Sequence, residues 1–169
     1  IMRIDIEKYH GESDVKAAYV EGLDSFAVKV ASGFFNNSKL GLPSSNGLMI
    51  LLDSQTGIIK SVLLDKGYLT DVRTAIAGAI ASKYLSNPES STVAIIGAGI
   101  QARMQLEALS LVRDIKNVKV WSRDINKANE YIQTLKKIYD FNFQAFDNTN
   151  DLVKDADILI TTTPSKNPL

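Results

Sequence analysis

Residues 93–102 read Val-Ala-Ile-Ile-Gly-Ala-Gly-Ile-Gln-Ala, and this segment carries the strongest fold signal in the chain. Its four leading apolar residues predict a buried strand. The glycines predict a tight turn, and the helix expected after it has apolar residues at Leu106, Leu109 and Val112. A strand, a glycine turn and a helix in this order are typical of a dinucleotide-binding βαβ unit.

Gly97, Gly99 and Ala102 have different expected roles in this unit. Gly97 permits the turn, Gly99 lets phosphate groups approach the backbone, and Ala102 replaces a third glycine where helix and strand pack. The unpaired N–H groups and partial positive charge at the start of a helix suit a diphosphate. The alternative is a glycine turn in an α/β domain that binds no nucleotide.

Strands and helices alternate from Thr92 onward, which predicts an α/β domain over residues 89–169. We expect a doubly wound parallel sheet of the Rossmann type. The predicted strands cover residues 92–96, 118–121, 141–145 and 157–163, and a helix is predicted at 126–139. Four strands would leave an apolar edge unpaired, so we expect the sheet to be incomplete.

Residues 1–88 have a different pattern, which predicts a smaller mixed α+β domain. Strands are expected at 25–32, 47–53 and 58–64, and a helix at 70–86 with Thr70 as its N-cap. The continuous apolar run within the second of these strands predicts burial on both faces. Pro88 begins the expected linker to the second domain.

The composition excludes several classes of protein. Lys plus Arg and Asp plus Glu number 19 each, so no excess of positive charge points to nucleic acid. No apolar run approaches the roughly 20 residues needed to cross a bilayer. Cysteine is absent, and no cluster of metal-ligating residues is evident, so we expect no metal site. A signal peptide is not recognisable, and we expect a cytoplasmic location.

The end of the second Rossmann strand bears on which nicotinamide cofactor would be used. NAD enzymes carry an acidic residue there that binds the ribose hydroxyls. This chain has Ser122 at the usual acidic position and Arg123 beside it, a pair that suits a ribose 2′-phosphate. We therefore favour NADP(H), although Asp124 could restore an acid two positions later, so NAD(H) stays open.

Two cationic residues of the first domain stand out. Arg73 is expected in the first turn of its helix, where an anion would interact with both the guanidinium and the free amides. The alternative is an exposed arginine that pairs with Asp71 or Asp65. Lys29 lies in an apolar strand between small residues and could bind a carboxylate or polarise an imine. The alternative is a lysine that extends to solvent from an edge strand.

The chain resembles the ornithine cyclodeaminase/mu-crystallin family along nearly its whole length. The resemblance rests on Leu-Thr-Asp-Val-Arg-Thr-Ala at 69–75 together with Gly-Ala-Gly-Ile-Gln-Ala at 97–102. The Gly-Leu-Pro-Ser turn at 41–44 and Thr-Thr-Thr-Pro at 161–164 fit the same pattern.

The resemblance implies a homodimeric NAD(P)-dependent oxidoreductase that transfers hydride at the α-carbon of a small amino acid or its cyclic imine. It implies that the first domain supplies both the substrate site and the dimer contact. Arg3, Lys29 and Arg73 would bind the substrate carboxylate, with Lys29 also polarising the substrate. The implied cofactor contacts are Ser44, Arg73, Thr74, Ile100, Gln101, Thr161, Thr162 and Thr163.

Two other functions are compatible with the same resemblance. One is an ornithine cyclodeaminase, which would convert ornithine to proline and ammonia with tightly held NAD. The other is a crystallin-like protein that binds NADP(H) without catalysis. Members of the family also carry an acid/base aspartate that has no counterpart here, so we expect this chain to be a fragment that is inactive alone.

Overall fold

Five antiparallel strands form the first of two compact units, residues 1–70, in a computed structural model that describes residues 1–165 and 167–169. Each strand pairs with the next along the chain, in the order β1 to β5. The strands are β1 Met2–Ile6, β2 Gly11–Ala18, β3 Ser25–Phe34, β4 Ser45–Asp53 and β5 Ile59–Leu63. Short 3-10 helices at Glu7–Tyr9 and Asn37–Leu40 connect them. The strands predicted at 25–32, 47–53 and 58–64 are confirmed as β3, β4 and β5, whereas β1 and β2 were not predicted.

The two faces of this sheet differ in chemistry. Register pairs Lys29 of β3 with Lys16 and Met49, so these side chains share one face. Val30 and Leu48 pair on the opposite, apolar face. The predicted burial of β4 on both faces is wrong, because its apolar residues are only half-buried.

Helix α1 spans Tyr68–Leu85 and begins before the predicted position. The backbone N–H of Leu69 donates to the Asp65 carboxylate at 2.7 Å, so Asp65 satisfies an amide of the first turn. Thr70 is therefore inside the helix, and its predicted role as N-cap is wrong. Arg73 lies in the second turn, where it has no free helix amides beside it. No helix in the described part of the chain, α1 included, is long and apolar enough to cross a membrane.

A four-stranded parallel sheet forms the second unit, residues 71–169, in the order β8-β7-β6-β9. Its strands are β6 Thr92–Ile96, β7 Asn117–Trp121, β8 Asn142–Phe146 and β9 Ile158–Thr161. Its further helices are α2 Ile100–Ser110, α3 Ile125–Leu135 and α4 Thr149–Val153. The predicted α/β class and Rossmann-type parallel sheet are confirmed, although α3 ends before the predicted residue 139.

The core of this unit lies between the sheet and its helices. The larger cluster joins β6 and β7 to α2 and α3, and its fully buried members include Ile95, Leu106, Val118 and Leu135. A smaller cluster on the other face of β6 is made by Ala94, Ile96 and Leu152. Because β6 is buried on both faces, the turn that follows it is held by rigid structure.

The division between the units falls at the start of α1 rather than after it. Ala75 and Ala79 of α1 pack against Ala108 of α2, which places most of this helix with the parallel sheet. The boundary predicted at residue 88 lies beyond this division. Residues 1–88 as substrate and dimerisation domain and 89–169 as cofactor domain remain a functional prediction.

Arg113 fixes the carboxyl end of α1 to the segment after α2. Its guanidinium donates to the carbonyl oxygens of Ser82, Lys83 and Ser86 at 2.9 to 3.1 Å, and to the Ser86 hydroxyl at 3.0 Å. The last carbonyls of a helix have no partner within the helix, so a guanidinium that donates to several of them replaces the missing bonds.

Replacing this arginine tests its contribution to stability. Arg113→Ala should lower the free energy of unfolding by about 1–3 kcal/mol, because several partly buried carbonyls lose their donors. Arg103→Ala removes an exposed guanidinium from α2 and should change it by less than about 0.5 kcal/mol. Chemical denaturation measures both values, and equal losses would contradict the assignment.

Candidate functional site

The carboxyl end of β6 lies where the chain reverses its direction across the parallel sheet. From β6 the chain proceeds to β7 and β8 on one side, and then returns to β9 on the other side. In open parallel sheets the crevice beside such a reversal is the usual ligand site. The glycine turn, residues 97–99, lies at this point.

Gly97 is required by the packing of the chain itself. Its φ of +123° is in the range that favours glycine, and its N–H donates to the carbonyl of Trp121 at 2.8 Å. A Cβ at this position would lie 2.5 Å from the Thr162 hydroxyl oxygen and 3.0 Å from the Thr162 carbonyl oxygen. Gly97 therefore makes the tight turn that the sequence predicts.

Gly99 is not required in this way. It is the N-cap of α2, with φ −98° and ψ −169°, an extended conformation open to any residue. A Cβ there would have no atom of the described chain within 4 Å. No described side chain caps α2, so the first amides of the helix have neither an intrahelical nor a capping partner. The residues present thus fit a diphosphate, which would fill the open space and accept from these amides.

The next three residues of α2 differ in their surroundings. Ile100 is exposed, whereas Ala102 is fully buried in the core, as expected for a small residue between helix and strand. The Gln101 side chain donates to the Asp71 carboxylate of α1 at 2.9 Å. Only the backbone of Gln101 belongs to the uncapped helix end.

The loop after β7 contains the residues that bear on cofactor choice. Asp124 is the N-cap of α3, and its carboxylate accepts from the N–H of Asn126 at 2.9 Å. This carboxylate is therefore already engaged by its own helix. Arg123 is exposed and lines a cleft of about 110 Å³ with Trp121 and Thr163. Ser122, which precedes Arg123 in this loop and was also predicted to contact the cofactor, is half-buried.

The three threonines at the end of β9 have separate surroundings. Thr161 is the last residue of the strand and is exposed. The N–H of Thr162 donates to the carbonyl of Ile96 at 2.9 Å, which places Thr162 against Gly97. Thr163 borders the Arg123 cleft. The structure thus brings Thr162 and Thr163 to the glycine turn and its neighbouring cleft.

Lys29 is a buried cation in the first unit, with 7% of its surface exposed. Its ammonium donates to the Thr70 hydroxyl at 3.3 Å. Lys16, its cross-strand partner, pairs with Asp14 at 2.9 Å. The hydrogen bond from Lys16, supported by the positive charges of Arg3 and Lys29, holds the pKa of Asp14 below its usual value. A strand lysine this buried is not an edge residue that extends to solvent.

The remaining predicted residues are more exposed. Arg3 of β1 pairs with Asp5 at 2.9 Å and with Glu12 at 2.6 Å, and these carboxylates raise its pKa. Ser44 is exposed, and its carbonyl accepts from the N–H of Phe34. Arg73 is exposed on α1, whereas Thr74 is half-buried.

Several features of these sites were missed by the sequence reasoning. The aspartate that directly precedes α3 is a recognisable N-cap signal, and it would have identified the role of Asp124. The pairing of Lys16 with Lys29 depends on strand register, and the bond between Asp71 and Gln101 joins two helices. Neither has a local signal in the sequence.

The family model of the ornithine cyclodeaminase/mu-crystallin family matches residues 2–169. The chain belongs to this family. A relative from Sinorhizobium fredii named an uncharacterized cyclodeaminase is 51% identical over 169 residues, which are 100% of this chain and 51% of the relative. The chain spans about half the length of the curated family members it matches.

Two solved structures of relatives also match the chain. The Δ1-pyrroline-2-carboxylate reductase of Thermococcus litoralis, in complex with NADH and L-proline, has a TM-score of 0.87 and 32% identity, covering 95% of this chain and 49% of its own. An archaeal alanine dehydrogenase dimer with bound NAD has a TM-score of 0.88 and 31% identity, and the match covers 99% of this chain and 50% of the dehydrogenase chain. The resemblance inferred from the sequence is confirmed.

Proposed function

We propose that this chain belongs to a nicotinamide-dependent oxidoreductase that transfers hydride at the α-carbon of a small amino acid or its cyclic imine. The observation that carries the proposal is the uncapped start of α2 beside Gly99, where the turn leaves space that no described atom fills. The two solved relatives support it, since one holds NADH with L-proline and the other NAD.

The cofactor site would be built on the glycine turn of the second unit. The amides at the start of α2 would hold the diphosphate, and Gly99 would allow its close approach. Thr162 and Thr163 would border the cofactor, and Ser44 and Thr74 are proposed as further contacts. When bound, the nicotinamide would supply or accept a hydride at its C4 atom.

Lys29, Arg73 and Arg3 are proposed as ligands of the substrate carboxylate. Burial strengthens the interaction of the Lys29 ammonium with an anion, because less water screens it. Lys29 would also polarise the C=N bond of an imine substrate, and this polarisation would make the imine carbon a better hydride acceptor. Fixing the carboxylate would hold the reacting carbon in place, which lowers the entropic part of the barrier.

NADP(H) is the proposed cofactor. The Asp124 carboxylate, the acid that could have favoured NAD, is engaged as a helix cap, while the Arg123 guanidinium is exposed beside a cleft. A guanidinium there would pair with a ribose 2′-phosphate.

A homodimer is proposed through the apolar face of the five-stranded sheet. Val30 and Leu48 are only half-buried on this face, and Ile4 is 50% exposed. Exposed apolar surface of this kind marks interaction sites, and the archaeal alanine dehydrogenase is a dimer.

A cyclodeaminase is the second candidate, because the Sinorhizobium relative carries that name at 51% identity. A reductase would oxidise the added cofactor in step with imine consumption. A cyclodeaminase would consume ornithine without net change in the cofactor. Reduced-nicotinamide absorbance of the full-length protein, followed with cyclic imines, pyruvate plus ammonia, and ornithine, separates the two.

Alanine substitutions at the two glycines separate folding from ligand binding. The free energy of unfolding of Gly99→Ala should lie within about 0.5 kcal/mol of the wild-type value, since the added Cβ meets no protein atom. The same variant should bind NADPH at least about tenfold more weakly. Gly97→Ala should lose about 2 kcal/mol of stability through its backbone strain and its contact with Thr162. Calorimetry of unfolding and of binding gives both values. Unchanged NADPH affinity in Gly99→Ala would remove the main support for this site.

The cofactor preference depends on Arg123. Arg123→Asp should lower the affinity for NADPH relative to NADH by about tenfold or more, because a carboxylate repels the 2′-phosphate. Lys127→Asp, an exposed charge reversal on α3, serves as the control and should leave the ratio unchanged. An unaltered ratio in Arg123→Asp would favour NAD(H).

The role of Lys29 is tested with a substitution that preserves its bulk. In the full-length protein, Lys29→Met should reduce kcat/KM for the active imine or amino acid by about 100-fold, since a charge-assisted bond to the carboxylate is lost. Cofactor affinity should not change. Lys8→Met on the exposed 3-10 helix is the matched control, and similar kcat/KM in both variants would assign Lys29 a purely structural role.

The dimer surface is tested by placing a charge on it. Ile4→Asp should shift the protein toward monomer in sedimentation velocity, because a carboxylate is costly to bury. Ile138→Asp, at a residue of the second unit that is 63% exposed, should leave the sedimentation coefficient unchanged. A wild-type protein that sediments as a monomer would contradict the proposal.

A further inference from the structure

Gln101 links the uncapped end of α2 to α1. It is the second residue of α2, directly after Ile100 and the N-cap Gly99. Its side-chain amide donates to the Asp71 carboxylate at 2.9 Å and lies 3.4 Å from the Asp71 carbonyl oxygen. One residue therefore supplies both a backbone amide at the helix start and a side-chain bond to the neighbouring helix.

Two residues of the proposed site, Arg73 and Thr74, follow Asp71 closely in the sequence of α1. Successive helical residues are turned by about 100°, so Thr74 lies near Asp71 on the helix surface, whereas Arg73 is turned by about 200°. The burial agrees with this, since Thr74 is half-buried and Arg73 is exposed. The directions of the Arg73 and Thr74 side chains therefore depend on the rotation of α1 about its own axis.

This end of α1 is also held by the bond from the Leu69 N–H to Asp65 and by the bond from Lys29 to Thr70. Ala75 and Ala79 meet Ala108, and such small side chains interlock weakly. Arg113 holds the opposite end of α1. The bond from Gln101 is a directional contact that joins α2 to this end of α1, close to Arg73 and Thr74.

The Gln101 carboxamide is a costly way to obtain stability alone. Its Oε1 atom is buried and accepts no hydrogen bond from the described residues. A buried acceptor without a donor lowers stability, and an apolar residue of similar size would avoid that loss. The Gln101 amide is better explained by the Asp71 carboxylate that its N–H group binds.

We propose that Gln101 is a positioning residue that couples cofactor binding to substrate binding through Asp71. By tying this end of α1 to the start of α2, its side chain helps to hold Thr74 toward the cofactor and Arg73 toward the substrate carboxylate. This inference rests on the proposed function, because it assigns those two residues to the site.

Gln101→Met tests the coupling with little change in volume. In the full-length protein it should raise both the Kd for NADPH and the KM for the substrate about tenfold, the size expected for a lost buried hydrogen bond. Gln105→Met is the matched control: the same residue type one turn later on α2, near Gly78 of α1. It should change either constant by less than about twofold.

Asp71 variants provide a second, independent measurement. Asp71→Asn retains a carbonyl acceptor and should keep near wild-type constants. Asp71→Ala should reproduce Gln101→Met, and the double variant should be no worse than either single one, because both remove the same bond.

The outcomes separate this inference from the proposed function. A wild-type protein that binds no nicotinamide nucleotide overturns both. Three outcomes overturn only the positioning role when the wild-type protein binds the nucleotide. They are equal effects of Gln101→Met and Gln105→Met, a lower melting temperature with unchanged Kd and KM, and additive effects in the double variant.

Discussion

The unpaired amides at the start of α2 are the constraint on which the site depends. A helix must begin with N–H groups that lack intrahelical acceptors, and most helices satisfy some of them with a side chain. Here the N-cap is Gly99, which has no side chain to offer. Gly97 turns the chain sharply between the buried strand β6 and α2, so the amides are held at the carboxyl edge of the sheet. The result is a fixed, electropositive position that an anion can occupy without rearrangement.

The two glycines illustrate how one motif can combine folding and function. Gly97 is enclosed by Thr162, so its lack of a Cβ serves the packing of the chain. Gly99 faces no protein atom within 4 Å, so its lack of a Cβ serves nothing that the described chain contains. This difference is the clearest separation in the molecule between a residue needed for the fold and a residue available to a ligand.

Local patterns in the sequence predicted the parts of the fold that depend on local physics. The apolar run before Gly97 and the alternation after it gave the parallel sheet, because strand and helix periodicities are local properties. Thr70 failed as an N-cap because Asp65 supplies the first-turn acceptor from outside the expected helix. The expected full burial of β4 failed because a run of apolar residues does not reveal whether a second layer covers the sheet.

The candidate site was predictable to a similar extent. The glycine turn was identified from spacing, and the burial of Lys29 agrees with its selection as an unusual strand residue. The bond between Gln101 and Asp71, and the pairing of Lys16 with Lys29, join residues distant in the sequence, so only the folded chain brings them together. Asp124 shows the reverse case, since a residue considered for ligand binding is engaged as a helix cap.

Amide chemical shifts at the start of α2 report directly whether this helix end binds a diphosphate. In a ¹⁵N-labelled protein titrated with NADPH, we expect the amide resonances of residues 99–102 to shift, saturably and downfield, as these amides donate to the diphosphate. If NADPH leaves these amides unmoved, or shifts only residues elsewhere, the anion-binding role of this helix end is contradicted.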